Sequence, residues 1–295
     1  MRPAQIPTPS EADGAEVDSL LDGEPLTLDA LTTGVSVFQR RKGHRFSSDD
    51  TVTAWVALQV CPKPANVLDL GCGLGSVLLH IGWSVPRCRL TGIEAQAVSF
   101  ALLRRNIAHN GFASRVLAIH GDLRDPDHVT QLGRRFDLIT GTPPYFPCDT
   151  ATGALDEQRA YARIEYRGGV EAYMAAAARL LADDGWFVMC GDADASGRVA
   201  VSADQLGLAV LRHVVVLPRA ARPPLFSVWA MRRGPATMPL VEQRLTLRDE
   251  AGERTDDAKM LRAFSGFSEG ATAQTEVSGM NVAAVAVVQW DEQFS

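Results

Sequence analysis

The chain has 295 residues, 46% hydrophobic and 22% charged, enough to bury the core of one large domain. Its five cysteines (Cys61, Cys72, Cys88, Cys148, Cys190) include no C-x-x-C pair and accompany no histidine cluster, which argues against a disulfide framework or a metal site and for reduced thiols in a cytoplasmic protein. The net charge of −6 excludes a protein that coats nucleic acid indiscriminately, while leaving room for a local basic surface.

Six carboxylates and no Lys or Arg fall between Glu11 and Glu24, behind Pro3, Pro7 and Pro9, so residues 1–24 read as a disordered acidic leader. They contain no signal-peptide core, and no later apolar run is long enough to span a bilayer. Beyond the leader, β-rich runs alternate with helical stretches. Strands are predicted at Asn66–Leu70, Cys88–Glu94, Arg115–His120, Phe136–Thr140, Trp186–Cys190, Leu208–Leu217 and Ser227–Arg232. Helices are predicted at Ser76–Trp83, Ala95–Asn110, Val170–Ala182 and Val199–Leu206. The alternation predicts an α/β, Rossmann-like domain with a seven-stranded, mostly parallel sheet, its last two strands closing the edge as an antiparallel hairpin. Residues 265–295 form a C-terminal extension in which the apolar run Val282–Trp290 is a candidate added edge strand.

The first chemical motif is Asp69-Leu70-Gly71-Cys72-Gly73-Leu74-Gly75. Gly71, Gly73 and Gly75 stand between a strand and a helix, where the chain turns sharply and a ligand comes close to the backbone. Dinucleotide-binding sheets use the related G-x-G-x-x-G. Here the third glycine comes one residue early and Asp69 precedes the first by two, as in loops that hold S-adenosyl-L-methionine. Glu94 ends the second strand, where a carboxylate can accept from both ribose hydroxyls. Asp122 and Leu123 end the third, suited to the cofactor's adenine amino group and ring.

The second motif, Phe136-Asp-Leu-Ile-Thr-Gly-Thr-Pro-Pro-Tyr-Phe146, ends the fourth strand, at the carboxyl edge where such sheets bind ligands. An exocyclic amine on a heteroaromatic ring is a poor nucleophile because its lone pair is delocalised. Acceptors for both of its N–H groups favour the geometry that turns the lone pair toward a methyl donor. The Pro143 carbonyl can supply one acceptor and the Thr142 side chain the other, with Pro144 fixing the backbone, while Tyr145 stacks on the base and Phe146 extends that surface.

From Pro25 to Phe264, about four-fifths of the chain, these motifs resemble the bacterial tRNA-valine adenine-37 N6-methyltransferase family, class I methyltransferases with an (N/D/S)PP(Y/F/W) motif. The resemblance is carried by Gln39, Lys42–Asp50 (KGHRFSSDD), VLDLGCGLG, GIEAQ, Arg105-Asn106-Ile107, Asn110, FDLITGTPPYF, the ARIEYRGG stretch from Ala162, and Leu240, Leu245, Gly252, Thr255 and Leu261. It implies methyl transfer from S-adenosylmethionine to adenine N6 in tRNA; a monomer is expected, and the lack of a long apolar run predicts no membrane partner. It also implies that Gly43, His44, Arg45 and Asp50 close over the cofactor's methionine end, Arg45 meeting its carboxylate. Arg40, Arg41, Lys42 and Arg45 fit either a phosphate-contacting or a solvated basic turn; Arg159, Arg163 and Arg167 form a second positive group. The departure is Thr142, where the family has Asn. A hydroxyl remains chemically compatible with amino-group methylation, and the change leaves a protein side chain or a small metabolite as the alternative acceptor.

Overall fold

The chain, seen as a computed structural model, is described for residues 19–125, 132, 135–147, 156–235 and 239–268. Strands β1 (Leu26–Thr32) and β2 (Val35–Arg40) pair antiparallel as a separate two-stranded sheet. Their buried positions largely alternate, the period-two pattern of a ribbon with one face on the protein. Helix α1 (Ser48–Val60) follows, opened by the Ser47 amide donating to the Asp50 carboxylate at 2.8 Å. Residues Thr51 to Ala57 are all buried, so α1 lacks the apolar stripe that marks a surface helix.

The main sheet contains β3 (Asn66–Leu70), β4 (Arg89–Glu94), β5 (Val116–His120), β6 (Phe136–Gly141), β7 (Leu181–Gly191), β8 (Leu208–Arg219), β9 (Phe226–Arg233) and β10 (Val241–Arg248), in the order β10-β8-β9-β7-β6-β3-β4-β5. The five strands β7-β6-β3-β4-β5 are mutually parallel. β9 runs against both β7 and β8, and β10 lies parallel to β8. Helices α2 (Ser76–Ser84), α3 (Ala97–His109), α4 (Glu157–Arg163), α5 (Val170–Leu180), α6 (Ser196–Leu206) and α7 (Asp256–Phe264), with a 3-10 turn at Ala193–Ala195, complete the described elements. Successive strand residues point to opposite faces. Val67, Leu138, Val188 and Val228 therefore pack with α1, α2 and α3, whereas Leu68, Ile139, Phe187 and Trp229 pack with α5 and α6.

The expected class and parallel core are present, with eight strands instead of seven. The eighth is β10, and it changes the edge: β9 is inserted between β7 and β8, so the β8–β9 hairpin is interior and β10 forms the border. Of the expected leader, residues 19–24 are described: Leu21 is buried and Glu24 accepts from Arg40 Nε at 2.8 Å. The leader's first 18 residues, Cys148 and the run Val282–Trp290 lie outside the described residues.

Asn106 on α3 and Asn110, which caps its C-terminus one turn later, fasten the β1–β2 ribbon. Asn106 accepts from the Phe38 amide (2.7 Å) and donates to the carbonyls of Phe38 (3.2 Å) and Leu74 (3.0 Å). Asn110 accepts from the Ser36 amide (3.0 Å) and donates to the Ser36 carbonyl (2.8 Å). The side chains complete the hydrogen bonds that β2 lacks on that edge, and Asn106 ties the same edge to the glycine loop.

Candidate active site

The glycine loop leaves β3 with Gly71, Gly73 and Gly75 all at positive φ (58°, 56° and 93°), a region that side-chain-bearing residues avoid. The three do different work. A Cβ on Gly71 would overlap the Tyr173 hydroxyl, and one on Gly75 would stand 2.7 Å from Leu103 Cδ1. One on Gly73 would meet no atom within 4 Å, because it would enter a cavity at the carboxyl ends of β3, β4 and β5. Glu94 stands on that cavity's wall, accepting from the Gly73 amide (2.9 Å) and the Gln96 amide (2.7 Å). Burial pushes its carboxyl above the usual range, against the pull of those two amides. Leu123 and Asp122 also line the cavity. Both Asp122 oxygens are engaged by Arg124, whose Nη2 lies at 2.7 Å, and that guanidinium holds the carboxyl below its ordinary value.

Two expected residues stand elsewhere. Asp69 does not line the cavity. It lies beneath the loop, where the Thr140 hydroxyl donates to it at 2.8 Å and burial pushes its carboxyl up to about 7. It braces β3 to β6. Arg45 is absent from the cofactor cavity because a buried carboxylate claims it: its Nη2 pairs with Asp29 at 2.8 Å and its Nη1 donates to Thr27 at 2.9 Å. It lines the neighbouring cavity instead.

That second cavity, about 550 Å³, opens beside the first. Thr142, Pro143, Tyr145 and Phe146 line it, while Pro144 faces the cofactor side. Across from them stand Asp49 and Asp50 of α1, and exposed Arg41, Lys42, Arg159 and Arg163 form its rim. Tyr145 is turned inward, its hydroxyl donating to Asp49 Oδ2 at 2.9 Å and lying 3.3 Å from Cys190 Sγ. Phe146 is the exposed aromatic, at 47%. Asp50 accepts from the Ser76 hydroxyl at 2.9 Å, and burial reinforced by the neighbouring Asp49 charge pushes its carboxyl up to about 8. Thr142 and Asp50 line both cavities, so the motif after β6 meets α1 at the boundary between them.

Sequence reading missed Asp49, Tyr173 and the bracing of the β2–α1 loop. Tyr173 is wedged under the glycine loop and also fills the space a Cβ on Gly141 would need, at 2.7 Å. The signal available for Asp49 was its place in the KGHRFSSDD stretch.

A family model described as a methyltransferase domain matches residues 67–165. The tRNA1(Val) (adenine(37)-N6)-methyltransferase of Porphyromonas gingivalis is 30% identical over 186 residues, covering 60% of this chain and 72% of that one. The chain belongs to this family. The release factor glutamine methyltransferase of Geobacter sulfurreducens is 34% identical over 114 residues, only 38% of each chain. A solved structure of a predicted O-methyltransferase from Agrobacterium tumefaciens superposes with a TM-score of 0.57 at 14% identity, covering 74% of this chain and 96% of that one, a likeness of fold alone.

The protein is thus an S-adenosylmethionine-dependent methyltransferase. Its residues fit that cofactor. Gly73 leaves room that a side chain would fill, and Glu94 keeps lone pairs directed at the cavity after accepting from two amides. Burial disfavours the anions of Asp50 and Glu94 on the wall, and the Arg167 charge offsets this only in part at Glu94, so a cationic ligand would suit the cavity. The cofactor supplies a methyl group on a cationic sulfonium. In this methyltransferase Gly71–Gly75, Glu94, Asp122 and Leu123 would hold it, and Thr142 and Asp50 stand where that cavity meets the next.

Proposed function

We propose that this methyltransferase transfers a methyl group to the N6 amine of an adenine in tRNA. The observation that carries the proposal is the composition of the second cavity: a polar floor of Thr142, Pro143 and Asp49 beneath a rim of four exposed cations, Arg41, Lys42, Arg159 and Arg163. A base presenting an amine suits the floor, and phosphates on either side of it suit the rim. The Pro143 carbonyl would accept one amine N–H, Phe146 would offer a face for stacking, and Tyr145 would hold the Asp49 side of the floor through its buried hydroxyl. The named activity of the relatives supports the same acceptor. An uncharged metabolite would leave the four cations without a partner.

The test is transfer of isotope-labelled methyl to total tRNA, protein extract and metabolite extract, followed by nuclease digestion and mass spectrometry. Label in N6-methyladenosine of tRNA supports the proposal; label confined to protein or metabolites overturns it.

A further inference from the structure

His44, Asp50, Thr142 and Ala162 line both cavities and so surround the passage a methyl group crosses from donor to acceptor. Of the three polar side chains, Asp50 accepts from the Ser47 amide and the Ser76 hydroxyl, and burial with the Asp49 charge beside it pushes its carboxyl up to about 8, toward the form that already carries a proton. Thr142 offers a short hydroxyl that carries its own proton. His44 differs: its backbone amide donates to Gln158 Oε1 at 3.3 Å, but no described residue hydrogen-bonds to its ring. A neutral imidazole has one acceptor nitrogen.

We propose that His44 is a catalytic residue: its ring nitrogen accepts the second N–H of the target amine and takes that proton as the methyl is transferred. The proposal rests on the reading of the acceptor as an aminopurine. With the Pro143 carbonyl on one N–H and His44 on the other, the amine lone pair turns toward the donor. The short side chain at position 142 is then no longer needed as the second acceptor. As the nitrogen lone pair forms the N–C bond, the C–S bond breaks and its electron pair stays on sulfur. Positive charge passes to nitrogen, and the N–H proton moves to His44, leaving a neutral secondary amine and an imidazolium.

The surroundings suit this role. Burial lowers the imidazole's affinity for protons, Asp49 opposes that, and Arg163 and Arg159 of α4 reinforce it, so the balance favours the neutral, accepting form of the ring. Asp50 faces the same passage, and Arg41, Lys42 and Arg45 of its own loop border the acceptor cavity. The backbone is fixed as well. Gln158, bonded to the His44 amide, donates to the Ser99 hydroxyl at 3.1 Å, and the Phe46 amide donates to Gln39 at 2.8 Å. A catalytic group on a braced loop is pre-positioned.

Two substitutions separate this role from a structural one. His44→Gln keeps an acceptor that does not titrate, whereas His44→Phe keeps a ring and removes the acceptor. Single-turnover transfer to tRNA is measured between about pH 5 and about pH 8, with calorimetry to establish that cofactor binding is intact. The unaltered protein should slow in acid as the ring is protonated. His44→Gln should stay within a few-fold at neutral pH and lose that acid limb, and His44→Phe should be slower by about 100-fold throughout. If His44→Phe does not fold, the flattened profile of His44→Gln decides. A readout independent of turnover is NMR of labelled histidine: with a short RNA hairpin carrying adenine in its loop, His44 should titrate at lower pH than with the same hairpin carrying purine, which lacks the amine, because the accepted N–H stabilises the neutral ring while the phosphates act equally in both. A His44→Phe rate equal to the unaltered protein's, or a titration no lower with adenine than with purine, overturns the proposal. An unaltered protein that labels no RNA overturns the aminopurine reading and this inference together, whereas RNA labelling insensitive to His44 overturns this inference alone.

Discussion

Replacing Gly73 with alanine isolates the cofactor's space from the stability of the loop. Gly73 has a φ of 56°, and a Cβ there would meet no protein atom within 4 Å, so the folded state loses only the left-handed backbone penalty, roughly 1–2 kcal/mol. For a domain of this size each kcal/mol lowers Tm by about 2–4 °C, giving a fall of roughly 2–8 °C. The methyl group projects into the cofactor cavity, where displacing or tilting the ligand should raise Kd at least about 100-fold, near 2.7 kcal/mol. Gly71→Ala is the control. It carries a similar backbone penalty, and its Cβ overlaps the Tyr173 hydroxyl, adding about 1–3 kcal/mol of overpacking. Urea unfolding and calorimetric titration with S-adenosylmethionine measure the two quantities separately. If Gly73→Ala binds cofactor like the unaltered protein, or loses as much stability as Gly71→Ala, the division of labour among these glycines is wrong.

Arg45→Met should cost about 3 kcal/mol of stability, since it strands the buried Asp29 carboxylate without its cation, while cofactor affinity stays nearly unchanged; chemical unfolding and calorimetry check both. Arg159→Ala and Arg163→Ala should each weaken tRNA binding and reduce the slope of log affinity against log salt by about one, with cofactor affinity unaltered, as filter binding at several salt concentrations would show. The Asp50 carboxyl is raised from 3.8 to about 8 in the fold, so it favours the folded state most below about pH 4 and that contribution drains away as pH climbs through about 8. Asp50→Asn stays neutral, and its stability relative to the unaltered protein should therefore rise between about pH 6 and about pH 9; equal slopes would contradict the shift.

The parts legible in the sequence were those encoded locally. Strands β3, β4, β6 and β9 are buried and read as short apolar runs, and the positive φ of Gly71, Gly73 and Gly75 follows from their crowding into one turn. Glu94 and Asp122 could be placed because a strand end is a fixed point of the topology. What was missed depends on distant partners. β10 reads VEQRLTLR and exposes its first residues, so its membership in the sheet comes from β8 beside it. Helix α1 is buried nearly all round and shows no period. Arg45 looked free to meet a ligand because Asp29, 16 residues upstream, comes within 2.8 Å only after the β1–β2 ribbon folds. Tyr145 lines the acceptor cavity as expected, but the partner of its hydroxyl, Asp49, lies 96 residues away in the sequence.

Asn106 and Asn110 hold β2 through its main chain alone, at Phe38 and Ser36. The same helix also holds one side chain of that strand, since the Phe38 ring packs edge-on against His109 with the Arg105 guanidinium over its face. The loop that β2 feeds carries His44 to both cavities and Phe46 to the cofactor's. Ribbon, helix and loop therefore act as a joint between the two halves of the site, and a change that alters what is methylated is felt where the methyl donor is held.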